Sequence, residues 1–155
     1  MTTHFLHRPT WEEYFMQIAE DTKNRSNCIR RQVGAIIVKG KHIIATGYNG
    51  TPAGIRNCFE GGCERCIKRH EEKLQEGEDK NACICVHAEQ NALIQSAYHG
   101  VATRDAIMYI TGMPCRQCAK LIINAGIKTI YARDAEKDDL GLKLLKEAGV
   151  ELIII

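Results

Sequence analysis

Apolar positions along the chain change period several times, and each change marks an element. After Thr10, the residues Trp11, Tyr14, Phe15, Ile18 and Ala19 recur with helical spacing. Thr10-Trp11-Glu12-Glu13 reads as a capping box, with Thr10 capping the helix and Glu13 reaching back to it. A helix is predicted over about 10–24, its aromatic stripe turned to the core. The pattern then switches to a β-branched run, Val33–Val38. Lys39-Gly40-Lys41 turns the chain and His42–Thr46 returns, which predicts a hairpin with His42 at its surface. No period holds from Gly47 to about Asn81. Gly, Pro and Cys are frequent there and 68–80 is charged, so a long loop or insertion with room for one short helix is expected. A loop of this length in a compact domain is usually functional or tied down.

Periodicity resumes at His87. His87–His99 is helical, with Ala88, Ala92, Leu93 and Ala97 available to pack and Gly100 as its stop. Ala106–Ile110 reads as a strand. Pro114 suits the first turn of a helix running to Asn124, which Gly126 ends. Ile127–Tyr131 is a strand, Leu140–Ala148 a helix closed by Gly149, and Val150–Ile155 a last strand. The order α-β-β-α-β-α-β-α-β predicts an α/β fold: a three-layer α/β/α sandwich around a central, mixed, five-stranded sheet. There are no internal repeats. Residues 1–155 read as a single domain with a Cys-rich insertion at about 50–83.

Composition narrows the function classes. With 155 residues, 45% hydrophobic and 26% charged, the chain suits a globular domain with one core. No apolar run is long enough to cross a bilayer. Met1–Arg8 lacks the apolar stretch and cleavage site of a secretory signal, so a cytoplasmic protein is expected. A net charge of +2 argues against a nucleic-acid partner, which calls for a basic stripe. Arg25, Arg30 and Arg31 are locally basic, which fits a solvated, salt-bridged face or a phosphate contact. Thiols of the cytoplasm stay reduced, so 8 cysteines at close spacing point to metal or catalysis rather than disulfides. The close pairs are Cys63/Cys66, Cys83/Cys85 and Cys115/Cys118.

Two motifs carry chemistry. His87-Ala88-Glu89 opens one predicted helix and Pro114-Cys115-Arg116-Gln117-Cys118 opens the next. One helix, one strand and a turn separate them, which brings both helix starts to one edge of the sheet, where open α/β sheets place their sites. Catalytic zinc takes three protein ligands and keeps a position for water, whose pKa it lowers towards neutrality. One imidazole, His87, and two thiolates, Cys115 and Cys118, fill that set, and a helix start favours the thiolate form. Glu89, two residues from His87, is placed as proton shuttle rather than ligand. A lone Cys-x-x-Cys would fit a structural or redox site equally well. His-x-Glu followed by Pro-Cys-x-x-Cys instead matches the signature of the zinc deaminases. A closed, structural zinc would need a fourth ligand, a role in which Glu89 could be miscast.

With these motifs the sequence resembles the cytidine/deoxycytidylate deaminase superfamily, and within it the deoxycytidylate (dCMP) deaminase family. Val33-Gly34-Ala35, Gly47-Tyr48-Asn49-Gly50-Thr51-Pro52, His87–Ala92, Pro114–Cys118 and Ile123–Lys128 carry the likeness, which covers about residues 10–154. It implies zinc-dependent conversion of dCMP to dUMP, feeding thymidylate synthesis. It further implies that Asn49 contacts the sugar and that the backbone near Ala88 reads the base. A short amide in a turn can bond a hydroxyl, although Asn also serves turn geometry alone. Arg25 and Ser26, a charged donor and a hydroxyl, suit a 5′-phosphate. Tyr131 is read as core rather than as a substrate contact. Hexamers activated by dCTP, with Mg accompanying that effector, and inhibited by dTTP are implied by the resemblance alone.

Six cysteines remain. The Cys63/Cys66 spacing predicts at least one structural zinc pinning the insertion. The resemblance suggests that Cys28, Cys58 and the stretch holding Cys83 and Cys85 contribute, with His70 a weaker candidate. The alternative is a set of free buried thiols. For function, the alternatives are a cytidine, deoxycytidine or dCTP deaminase, a tRNA or nucleic-acid base deaminase, and a non-catalytic zinc-binding module.

Overall fold

The predicted hairpin forms, and the sheet grows from it. In the computed structural model, which describes residues 6–133 and 138–155, β1 (Gly34–Lys39) pairs antiparallel with β2 (His42–Tyr48). Residues 1–5, part of the segment searched above for a leader, lie outside the described residues. On its other side β1 pairs antiparallel with β3 (Ile107–Ile110), and β4 (Thr129–Ala132) and β5 (Glu151–Ile154) continue in parallel. The order is β2-β1-β3-β4-β5. Among the described residues five helices accompany it: α1 (Trp11–Lys23), α2 (Glu64–His70), α3 (Ala88–Tyr98), α4 (Arg116–Asn124) and α5 (Asp139–Glu147). This is the three-layer α/β/α sandwich with a mixed sheet that the element order predicts.

Side chains alternate across a strand, so a strand covered on both faces is apolar throughout. β1 shows this. Ala35 and Ile37 turn to one face, where Met108, Ile110, Ile130 and Ala132 join Ala92 of α3, Ile122 of α4 and Leu145 of α5. Ile36 and Val38 turn to the other, against Phe15, Met16 and Ala19 of α1 and Tyr109 of β3. Each fully buried Ile contributes about 1.5–3 kcal/mol relative to an exposed one. Tyr131 stacks on Tyr109 with ring centroids 4.8 Å apart, on the α1 side of the sheet. It therefore belongs to the core, across the sheet from α3 and α4.

Both helical layers press directly on backbone. A Cβ on Gly47 of β2 would stand 2.2 Å from the Ala88 carbonyl oxygen and 2.4 Å from the Ala92 nitrogen. One on Gly34 of β1 would stand 2.2 Å from the Ala19 carbonyl oxygen. These contacts are to main chain, which cannot rotate away, so glycine sets how close α3 and α1 approach the sheet.

Several element boundaries differ from expectation; β4, for one, spans Thr129–Ala132 rather than 127–131. β2 runs two residues further, to Tyr48, because its pairing with β1 continues to Gly34. α4 begins at Arg116, since Cys115 is extended (φ −72°, ψ 170°) and acts as the N-cap. Pro114 therefore precedes the cap rather than occupying the first turn. The aperiodic stretch contains α2 and two single 3₁₀ turns, Cys58–Glu60 and Lys80–Ala82. An isolated bridge between Gly50 and Val86 closes its base, with both N–H···O bonds made, at 3.1 and 2.7 Å. Among the described residues no helix is long and apolar enough to cross a membrane.

Gly47→Ala should destabilise the chain by about 1–3 kcal/mol, the usual cost of overpacking a close contact. Chemical denaturation checks this. An unchanged midpoint would show that α3 can retreat from β2 without penalty.

Candidate active site

Strand direction decides where the site lies. β1 is antiparallel to both β2 and β3, so β2 and β3 run the same way and end at the same edge. Beyond β2 the chain makes its long excursion, returns at Val86 and enters α3, with His87 as the extended N-cap residue. The Gln90 side chain holds this start by accepting the His87 backbone N–H at 2.9 Å. Beyond β3, Thr111 bonds Gly34 in both directions at 3.0 Å, and the chain enters α4. The two helix starts meet. His87 Nδ1 lies 3.6 Å from Cys115 Sγ and 3.3 Å from Cys118 Sγ.

These distances suit a metal. Tetrahedral zinc with the usual bond lengths places an imidazole nitrogen and a thiolate sulfur about 3.6 Å apart. His87, Cys115 and Cys118 form such a trio, with all ligand atoms within 4.8 Å of one another. Glu89 is not a member of it. Three donors rather than four leave one tetrahedral position to a small molecule.

The trio is electrostatically coupled. The Cys118 side chain beside Cys115, together with His87, holds the Cys115 thiol down to about 3. The Cys118 thiol moves up instead, because Cys115 lies beside it and burial disfavours charge. A bound cation deprotonates a coordinating thiol outright. The Cys115 sulfur raises the imidazole of His87 above its ordinary value.

Glu89 follows in the first turn of α3 and is only 4% exposed. Burial raises its carboxyl above the usual carboxylate range, opposed by its own backbone N–H and by His87. A carboxyl raised in this way binds a proton more readily than one in water does.

Asn49 is buried, and its amide is largely engaged. Oδ1 accepts from the Val33 N–H at 2.8 Å and the Ser26 hydroxyl at 2.7 Å, while Nδ2 donates to the Arg31 carbonyl at 2.6 Å. Both lone pairs are used, and one of the two amide protons remains for another acceptor. Asn49 therefore ties the 26–33 segment to the end of β2. Ser26 donates its hydroxyl proton to Asn49, and Arg25 is exposed just after α1. Ala88 is fully buried between His87 and Glu89, against Gly47.

Asp138 was not singled out above. One carboxylate oxygen accepts from the Arg116 backbone N–H at 2.9 Å and Nε at 3.1 Å. The other caps α5 through the Gly141 N–H at 3.1 Å. It thereby fixes the turn that carries Cys115. The signal was an Asp just ahead of a predicted helix start. The backbone N–H groups of Arg116 and Gly141 hold the Asp138 carboxyl down to about 2.

The remaining cysteines also converge. Cys28, Cys58, Cys66 and Cys85 form one group, and Cys63, Cys66, Cys83 and Cys85 another, each with sulfurs within 4.8 Å of one another. His70 is exposed and belongs to neither. A cavity of about 720 Å³ lined by Pro9, Glu13, Gln17, Arg133 and Ile155 contains no member of any of these groups.

Comparison with known proteins points the same way as this chemistry. Residues 9–133 match the family model of the cytidine and deoxycytidylate deaminase zinc-binding region. The deoxycytidylate deaminase of Schizosaccharomyces pombe is 42% identical over 146 residues, covering 94% of this chain and 44% of that protein. That of Saccharomyces cerevisiae is 40% identical over 148 residues, covering 94% and 45%. The chain therefore spans a little under half the length of these curated relatives. The crystal structure of dCMP deaminase from the cyanophage S-TIM5, in complex with dCMP and dUMP, superposes with a TM-score of 0.78. It is 35% identical, covering 97% of this chain and 100% of that one.

Cys118→Ala should lower zinc content by one ion per chain, read by elemental analysis of the purified protein; unchanged zinc would separate this trio from metal binding. Asp138→Ala should cost about 1 kcal/mol as a lost helix cap. A depressed carboxylate stabilises fully above its ordinary value of 3.8 and ceases to do so as pH falls towards 2. Denaturation midpoints of parent and variant should therefore differ at neutral pH and converge as pH approaches 2.

Proposed function

Because the chain belongs to the cytidine and deoxycytidylate deaminase family, we propose that it hydrolyses dCMP to dUMP and ammonia, supplying dUMP for thymidylate synthesis. The observation that carries this reading is the trio of His87, Cys115 and Cys118 beside a buried, unligated Glu89. Zinc held by the trio supplies Lewis acidity and a water that is nucleophilic near neutral pH. The residues of the chain do the rest. Glu89 takes a proton from the attacking water through a carboxylate oxygen and delivers it to ring N3; it then takes the proton of the new C4 hydroxyl and passes it to the amine, so that the C4–N bond breaks, ammonia leaves and the C4 carbonyl forms. Its raised pKa favours this two-way traffic, since donor and acceptor forms are then closer in energy.

Substrate contacts follow from the same edge of the sheet. The spare amide proton of Asn49 reaches towards a sugar hydroxyl, and the Ala88 backbone, held against Gly47, reads the base. Arg25 is the cation assigned to the 5′-phosphate. Ser26 contributes less than a free hydroxyl would, because its proton is committed to Asn49. The second cysteine cluster holds structural zinc that pins the excursion. A homo-oligomer, a hexamer by family resemblance, is supported by Ile94 and Tyr98 of α3, which stand one turn apart and are 57% and 84% exposed. dCTP and dTTP as effectors, the former with Mg, belong to this reading, as does a cytoplasmic location.

An ammonia-release panel of dCMP, dCTP, CMP, deoxycytidine and adenosine, each with and without dCTP as effector, tests the assignment. dCMP should be the best substrate; adenosine turnover without dCMP turnover would overturn it. Glu89→Gln should keep zinc while lowering kcat on dCMP by about 10²-fold or more, the scale of a lost proton shuttle. Arg25→Ala should reduce dCMP turnover selectively over deoxycytidine. Equal loss on both would remove Arg25 from the phosphate site.

A further inference from the structure

The excursion between Gly50 and Val86 lacks an ordinary apolar core. Its interior is built from sulfur: Cys28, Cys58, Cys63 and Cys66 are all buried, with Cys83, Cys85 and Ile29 packed against them. None of the six is disulfide-bonded. The two four-cysteine groups share Cys66 and Cys85. Two tetrahedra that share an edge have this composition: six ligands, of which two belong to both.

We propose that these six cysteines hold two zinc ions as a binuclear thiolate cluster. Cys28 and Cys58 are terminal ligands of one ion, Cys63 and Cys83 of the other, and Cys66 and Cys85 bridge them. The inference rests on the reading of this cluster as a zinc site and fixes how many ions it takes. Sulfurs around tetrahedral zinc stand about 3.8 Å apart, given the usual Zn–S length. Cys28 and Cys66 are 4.0 Å apart and Cys63 and Cys83 are 3.9 Å apart, one such edge in each group. A single ion takes four thiolates and leaves two as packed, unmetallated thiols, from whichever group it omits. Six thiolates around two divalent ions carry a net charge of minus two. Backbone N–H groups answer it: those of Arg30 and Arg31 donate to Cys28, that of Ile29 to Cys58 and that of Cys85 to Cys83.

The cluster also reaches the candidate active site. Cys85 is followed by Val86, whose bridge to Gly50 closes the excursion, and then by His87. Gly50 follows Asn49. A rigid cluster thus positions both the histidine of the trio and the Asn49 turn.

The full-length chain, purified with zinc under reducing conditions, tests the proposal by native mass spectrometry and elemental analysis. Three zinc ions per chain are expected, and two in Cys115→Ala, which loses only the ion of the trio. Replacing zinc by isotopically enriched cadmium should give two NMR signals split by metal–metal coupling, which requires shared thiolates. Two zinc ions per chain would overturn the binuclear cluster and leave a single structural zinc standing. One zinc per chain, or a disulfide within the cluster in the reduced protein, would overturn both. Three ions without cadmium–cadmium coupling would also overturn it, since bridging sulfurs are its content.

Discussion

Three ligand atoms meet because two strands point the same way. β1 stands between β2 and β3 and is antiparallel to each, so their ends share one edge. A helix follows each, and the residue at each helix boundary carries a metal donor: His87 before α3 and Cys115 before α4. The 3.3 and 3.6 Å separations from the imidazole to the two sulfurs depend on that geometry. Much of the rest protects it. Gly47 lets α3 sit close enough to β2, Gln90 holds the His87 backbone, and Asp138 anchors the first residue of α4 from the start of α5.

Glu89 adds a different constraint. A carboxylate in water favours its charged form strongly, which makes it a poor proton carrier at neutral pH. In the first turn of α3 and almost wholly buried, it meets opposing influences: burial raises its pKa, while the helix backbone and His87 lower it. The balance leaves it raised. Covering it with the core therefore suits the proton transfer proposed for it as well as packing.

The excursion after β2 is the costliest part of the chain to order. Its thirty-odd residues have one short helix, and backbone ordering costs about 1–2 kcal/mol per residue. Polar and sulfur contacts offset this. The Asn27 side chain bonds Thr51, Asn57 and Cys58, the Gly50–Val86 bridge closes the base, and the sulfur cluster fills the interior. Metal bound there as proposed would supply folding free energy, since the unfolded chain has no preformed site, and would tie the stability of the segment to the placement of His87, only two residues beyond Cys85.

Local chemistry was legible in the amino-acid order alone. The capping box at Thr10, the hairpin around Gly40, the helices after His87 and Pro114 and the sheet of five strands follow from periodicity and turn residues, because such elements are stabilised by neighbours in the chain. His87, Glu89, Cys115 and Cys118 stood out because one chemistry explains their spacing. Tertiary structure decided what depends on distant segments. It turned Tyr131 onto Tyr109, away from the site, since strand register alone sets which face a residue occupies. It committed the Asn49 amide to Ser26, Arg31 and Val33, and it gave Asp138 its hold on Arg116. It also divided the six remaining cysteines into two groups sharing an edge. Spacing along a chain fixes which residues can share a turn, whereas the meeting of Cys28, Cys58 and Cys85 requires loops to close through space, and only packing determines where they close.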